Sequence, residues 1–95
     1  MSKARAHILI TGRVQGVYFR SYTRAEAEKF NLSGWVRNSI GGSVEIVAEG
    51  EKKDIEKLIA WCHKGPSSAN VVNVEVEWHE YKGEFDRFSI EYARH

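Results

Sequence analysis

The sequence predicts an α+β protein, a two-layer sandwich with both helices on one face of a mostly antiparallel sheet. Two stretches carry apolar residues at helical spacing, others are β-branched or alternate apolar and polar, and the alternating stretches keep one charged face. A sheet wetted on one side leaves only its other side for the helices to cover. The elements follow one another as βαββαβ, with a short extra strand at the C-terminus, which is the split βαβ, ferredoxin-like arrangement.

Each element has a local reason. Residues 6–14 are apolar and β-branched (Ile8, Ile10, Thr11, Val14) and are broken at Gly12, predicting a strand that runs into a glycine-containing loop. Phe19, Thr23, Ala27 and Phe30 then recur at spacings of four, four and three, a helical stripe. Ser21 is a candidate cap and Asn31 a residue that tolerates the left-handed conformation ending a helix, so the first helix is expected over 21–31. Residues 35–38 form a short strand, 39–42 a turn, and 43–49 a second strand that buries Val44, Ile46 and Ala48. Ile55, Leu58, Ile59 and Cys62 fall at i, i+3, i+4 and i+7 before Gly65-Pro66, which marks the second helix and its end. Val72, Val74, Val76 and Trp78 alternate with polar residues in a long strand, and Phe88, Ile90 and Tyr92 alternate in a terminal one.

Composition narrows the function classes. Ninety-five residues suffice for one domain and not two, so residues 1–95 are read as a single domain. Lys+Arg 14 against Asp+Glu 13 gives a net charge of +1, without the basic excess that drives phosphate-backbone binding, so no nucleic-acid partner is expected. Trp35, Trp61 and Trp78 are read as packing residues, since no base-stacking RNA motif accompanies them. The single cysteine, Cys62, lies in the apolar stripe of a helix and closes no intrachain disulfide, which predicts a reducing, cytoplasmic setting. His7, His63, His79 and His95 are dispersed without ligand spacing, so no metal is expected. No run is long and apolar enough to act as a signal core or to span a bilayer, so no membrane partner is expected.

Chemistry concentrates in two places. The run Gly12-Arg13-Val14-Gln15-Gly16-Val17-Tyr18-Phe19-Arg20 joins a strand end to a helix start through a loop with two glycines. Such a junction gathers unpaired amides at the positive end of a helix dipole and suits a phosphate or carboxylate. Arg20 adds a planar fork of donors that can bind two oxygens of one phosphoryl group. The same residues also fit an ordinary βα turn with Arg20 as a surface charge. Asn38 precedes Ser39-Ile40-Gly41-Gly42; its amide offers a donor and an acceptor for holding a water, and it equally suits a turn.

Residues 12–20 resemble the first signature of the acylphosphatase family, Gly-x-Val-Gln-Gly-Val-x-Phe-Arg, at all seven fixed positions. Gly34-Trp35-Val36-Arg37-Asn38, followed by Gly42, Val44 and Gly50, resembles its second signature at the same spacing. The similarity extends over essentially the whole chain, including Lys64-Gly65-Pro66 to Val72, and Tyr18 fills a variable slot of the first pattern, where it narrows the rim of the site.

The resemblance implies hydrolysis of a small-molecule acyl phosphate to a carboxylate and inorganic phosphate, with no metal and no cofactor. It implies that the amides of Gln15, Gly16, Val17, Tyr18, Phe19 and Arg20 cradle the phosphoryl group, that Arg20 clamps its oxygens and that Asn38 orients the attacking water. A monomer is expected. Two other classes stand beside this one: a non-catalytic anion-binding regulatory domain of the same fold, and a weak RNA-binding module.

Overall fold

The computed structural model describes residues 2–92. Its elements are β1 (Lys3–Arg13), α1 (Phe19–Lys29), β2 (Ser33–Asn38), β3 (Val44–Glu51), α2 (Lys52–Lys64), β4 (Asn70–His79) and β5 (Phe88–Glu91). The sheet order is β4-β1-β3-β2-β5; β1 runs antiparallel to β3 and β4, β2 antiparallel to β3, and β5 parallel to β2. The helices contact each other over one face, giving the expected two-layer α+β, ferredoxin-like sandwich. The terminal strand, whose partner the sequence leaves open, extends the sheet beside β2.

Alternation explains the core. Ala6, Ile8 and Ile10 from β1, Val36 from β2, and Val44, Ile46 and Ala48 from β3 are fully buried, as are Ala27, Ile55, Leu58 and Cys62 from the helices. Burial pushes the Cys62 thiol far up from its ordinary value, so it stays protonated and unreactive. Among the described residues no helix is long and apolar enough to cross a membrane.

Three local expectations are corrected. Helix α1 starts at Phe19 rather than Ser21, and the residue before it, Tyr18, makes no side-chain cap. Burial replaces the cap: Phe19 is 1% exposed and its ring lies 5.3 Å from that of Trp61. Gly12 does not end β1, which runs on through it to Arg13 and faces a bulge whose extra residue, Val72, lies in β4. With φ at +125° and a would-be Cβ only 2.3 Å from Asn70 O, position 12 accepts glycine alone. The same bulge shifts the register of β4, pairing Thr11 with Asn73 and Gly12 with Val71. Val71 therefore packs on the core, and Val72, expected inside, is 74% exposed.

The face away from the helices is not uniformly wet. Glu49 is 1% exposed because the segment after β4 folds over it. Its carboxylate accepts from Arg5 Nη1 at 3.3 Å, Lys82 N at 2.8 Å and Glu84 N at 3.2 Å. Burial alone would raise its pKa, but these donors outweigh it and hold the carboxyl below the ordinary 4.5. Glu45 is lowered likewise, against burial, by hydrogen bonds and charge from His7 and Arg37. A depressed folded pKa contributes stability above the unfolded value, and that contribution is lost as pH falls through the folded value. The melting temperature is therefore expected to fall as pH drops below the ordinary 4.5. The decline should be shallower in Glu49→Gln, as thermal denaturation across an acid pH series would show.

Candidate active site

The site grows from the junction of β1 with α1. Val14 and Val17 are buried and anchor the connecting loop, while Gly16 between them and Tyr18 after them are exposed. Gly16 has φ +75° and Tyr18 φ +60°, so left-handed residues recur within three positions. For a bulky side chain such as Tyr18 that conformation costs on the order of 1 kcal/mol, and backbone turns of this kind direct successive amides into one concavity. Among the described residues, no amide of residues 15–20 donates to a protein acceptor, main-chain or side-chain. The first turn of α1 carries no acidic side chain, so the positive end of its dipole faces the same opening uncompensated.

An open cleft of about 300 Å³ lies at this point, lined by Val14, Gly16, Tyr18, Phe19, Arg20, Ser21, Asn38, Ile90 and Tyr92. Arg20 and Asn38, which the sequence separates by eighteen positions, thus border one cavity. Asn38 gets there as the last residue of β2, paired with Val44. Among the described residues, neither a carboxylate nor an imidazole lines the cleft, and no group of three or more metal-type side chains converges anywhere.

Not every residue of the expected loop faces the cavity. Gly16, Tyr18, Phe19 and Arg20 line it, whereas the Val17 side chain is in the core. Gln15 is not among the lining residues either; its Nε2 donates to Ser39 O at 2.9 Å and Ser43 O at 2.8 Å. The Gln15 side chain thus ties the loop to the β2–β3 turn that follows Asn38.

Ile90 and Tyr92 were missed from sequence. Their alternation with Phe88 is legible, but only the parallel pairing of β5 with β2 carries Ile90, and Tyr92 just past the strand's end, to the cleft. The guanidinium of Arg20 lies 5.4 Å from the centre of the Tyr92 ring, a cation–π distance.

The family profile for acylphosphatase matches residues 6–90. An acylphosphatase of Pelotomaculum thermopropionicum is 53% identical over 90 residues, covering 95% of this chain and 98% of that protein. Among solved structures, an acylphosphatase from Coxiella burnetii superposes with a TM-score of 0.90 at 38% identity, over 95% of this chain and 94% of the other. One from Bacillus subtilis gives a TM-score of 0.90 at 36% identity, over 94% and 99%.

Proposed function

The chain belongs to the acylphosphatase family, whose reaction is the hydrolysis of acyl phosphates, and on that premise we propose how its own residues perform it. The amides of residues 15–20 and the guanidinium of Arg20 bind the phosphoryl group, and the Asn38 amide holds the water that attacks phosphorus in line with the departing carboxylate. The carrying observation is one cleft that combines a left-handed loop with unpaired amides, a first helical turn without acidic side chains, Arg20 and Asn38.

The chemistry asks for little more. Phosphoryl transfer passes through a loose transition state, so catalysis consists mostly of positioning and of stabilising charge on the phosphoryl oxygens. A fork of donors and a ring of fixed amides supply both. The leaving group is a carboxylate whose conjugate acid has a pKa of about 4, so it departs at neutral pH without a proton. No general acid is needed for that departure. The water's proton passes to an oxygen of the substrate's own phosphoryl group. In this reading residues 1–95 are one domain acting as a cytoplasmic monomer on a small acyl phosphate.

Hydrolysis of benzoyl phosphate, followed by the loss of its ultraviolet absorbance, tests the reading. Turnover is expected to continue undiminished in excess EDTA. A folded protein that binds inorganic phosphate without turnover would instead be an anion-binding regulatory domain.

A further inference from the structure

On the sheet face opposite the helices, the carboxylate of Glu45 gathers polar side chains around the end of β2. Its Oε1 accepts from Arg37 Nε at 2.8 Å and from Ser39 Oγ at 3.4 Å, and its Oε2 lies 2.5 Å from His7 Nε2. Arg37 and Ser39 are the chain neighbours of Asn38. One carboxylate therefore grips the residue on each side of it.

The turn after Asn38 needs such a grip. Ile40 is 74% exposed, and a Cβ built on Gly41 or Gly42 would meet nothing within 4 Å. Apolar packing does not restrain these residues, so hydrogen bonds must. The Ser39 N–H donates to Ser43 O at 2.8 Å, and Gln15 holds both main-chain oxygens from the loop side. Glu45 supplies the ties to side chains, with its own side chain 17% exposed and the bond from Arg37 strengthened by opposite charge.

We propose that Glu45 is a positioning residue for the hydrolysis: by fixing Arg37 and Ser39 it sets the angle at which the Asn38 amide meets the attacking water. This rests on the reading of Asn38 given above. A misplacement of about 1 Å in a reacting assembly can cost on the order of a hundredfold in rate, so a residue that never touches substrate can still govern turnover.

Glu49 provides the internal comparison. It lies on the same strand and the same face, with donors from Arg5, Lys82 and Glu84, but it holds the segment after β4 and no neighbour of Asn38. If carboxylates on this face served stability alone, the two would behave alike.

The experiment compares wild type, Glu45→Gln, Glu49→Gln, Asn38→Ala and the Asn38→Ala/Glu45→Gln double variant. Benzoyl phosphate gives kcat and KM, inorganic phosphate as competitive inhibitor reports the anion cradle, and thermal melting reports the fold. Glu45→Gln is expected to lower kcat by roughly 10- to 100-fold while the phosphate inhibition constant moves by less than about twofold. Glu49→Gln is expected to melt earlier yet keep its kcat where it is folded. In the Asn38→Ala background, Glu45→Gln should cost nothing further, because the amide it positions is gone.

Wild-type kcat in Glu45→Gln, or the same fractional loss with and without Asn38, would overturn the proposal. Should Glu45→Gln not fold, Ser39→Ala and Arg37→Gln each remove one donor at a partly exposed position, and wild-type kcat in both would overturn it equally. Wild-type turnover in Asn38→Ala would remove the Asn38 reading and this proposal with it. Turnover lost in Asn38→Ala but kept in Glu45→Gln would remove the proposal alone.

Discussion

Arg20→Gln is expected to lower kcat/KM for benzoyl phosphate by about three powers of ten, roughly 4 kcal/mol of transition-state stabilisation. Glutamine keeps an amide donor and much of the length, but it has neither the charge nor the fork that binds two phosphoryl oxygens together. The fold gives an independent reason to read Arg20 as functional. It is the second residue of α1, in a turn without acidic side chains, where the helix dipole already presents positive charge. A cation there works against helix stability, and its contact with the exposed Tyr92 ring restores only part. The variant should therefore melt within a few degrees of wild type while losing turnover, and its affinity for inorganic phosphate should fall in parallel. Arg20→Lys, which returns the charge without the fork, should recover only a fraction. An Arg20→Gln protein with wild-type kcat/KM would remove this residue from the reaction.

Burial made most of the fold readable. Phe19, Thr23 and Ala27 on one helix, and Ile55, Leu58 and Cys62 on the other, are buried in the structure as their spacing predicts, because the same periodicity that aligns a stripe in sequence turns it toward one neighbour in space. Asn31 likewise takes φ +58° just past α1, where its tolerance of that conformation suggests a stop. What escaped is whatever depends on a partner far along the chain. The burial of Glu49 comes from Lys82 and Glu84, more than thirty residues away, and on its own strand it reads as an outward-facing charge. Val72 fails for a related reason. Alternation in β4 holds from Val74 to Val76, but a bulge puts an extra residue, Val72, into β4 opposite Thr11 and Gly12, and that one-residue slip exchanges the faces of the strand beyond it.

The site divides along the same line. The loop through Gly16 and Arg20 fits an anion cradle by its glycines and its place before a helix but fits an ordinary βα turn as well, and like Asn38 it gains its functional reading through the resemblance to the acylphosphatase signatures. Neither pattern contains the strand pairing β1–β3–β2 that sets Asn38 beside the loop. Tyr92 had no signal as a site residue, since its position depends on β5 adding to β2 in parallel. Gln15 illustrates a finer limit. Its place in the motif puts it in the expected phosphate loop, but nothing local says that its side chain turns away to hold Ser39 and Ser43.

Asn38→Ala is expected to separate the two halves of the reaction, lowering kcat by about three powers of ten while leaving the inhibition constant of inorganic phosphate within about twofold. An asparagine amide can accept a hydrogen bond from water through its oxygen and donate through its nitrogen to a phosphoryl oxygen, fixing the angle between the two. Alanine removes that alignment but none of the loop amides and not Arg20, so the bound phosphoryl group waits for a water that arrives unaided. Since Asn38 ends β2 and its side chain borders the open cleft, truncation leaves the β2–β3 pairing in place, and the melting temperature should change little. Were phosphate affinity to collapse together with kcat, Asn38 would belong to the anion cradle, and the water would need another holder. Ser21, which lines the cleft in the first turn of α1, would then be the next side chain to replace.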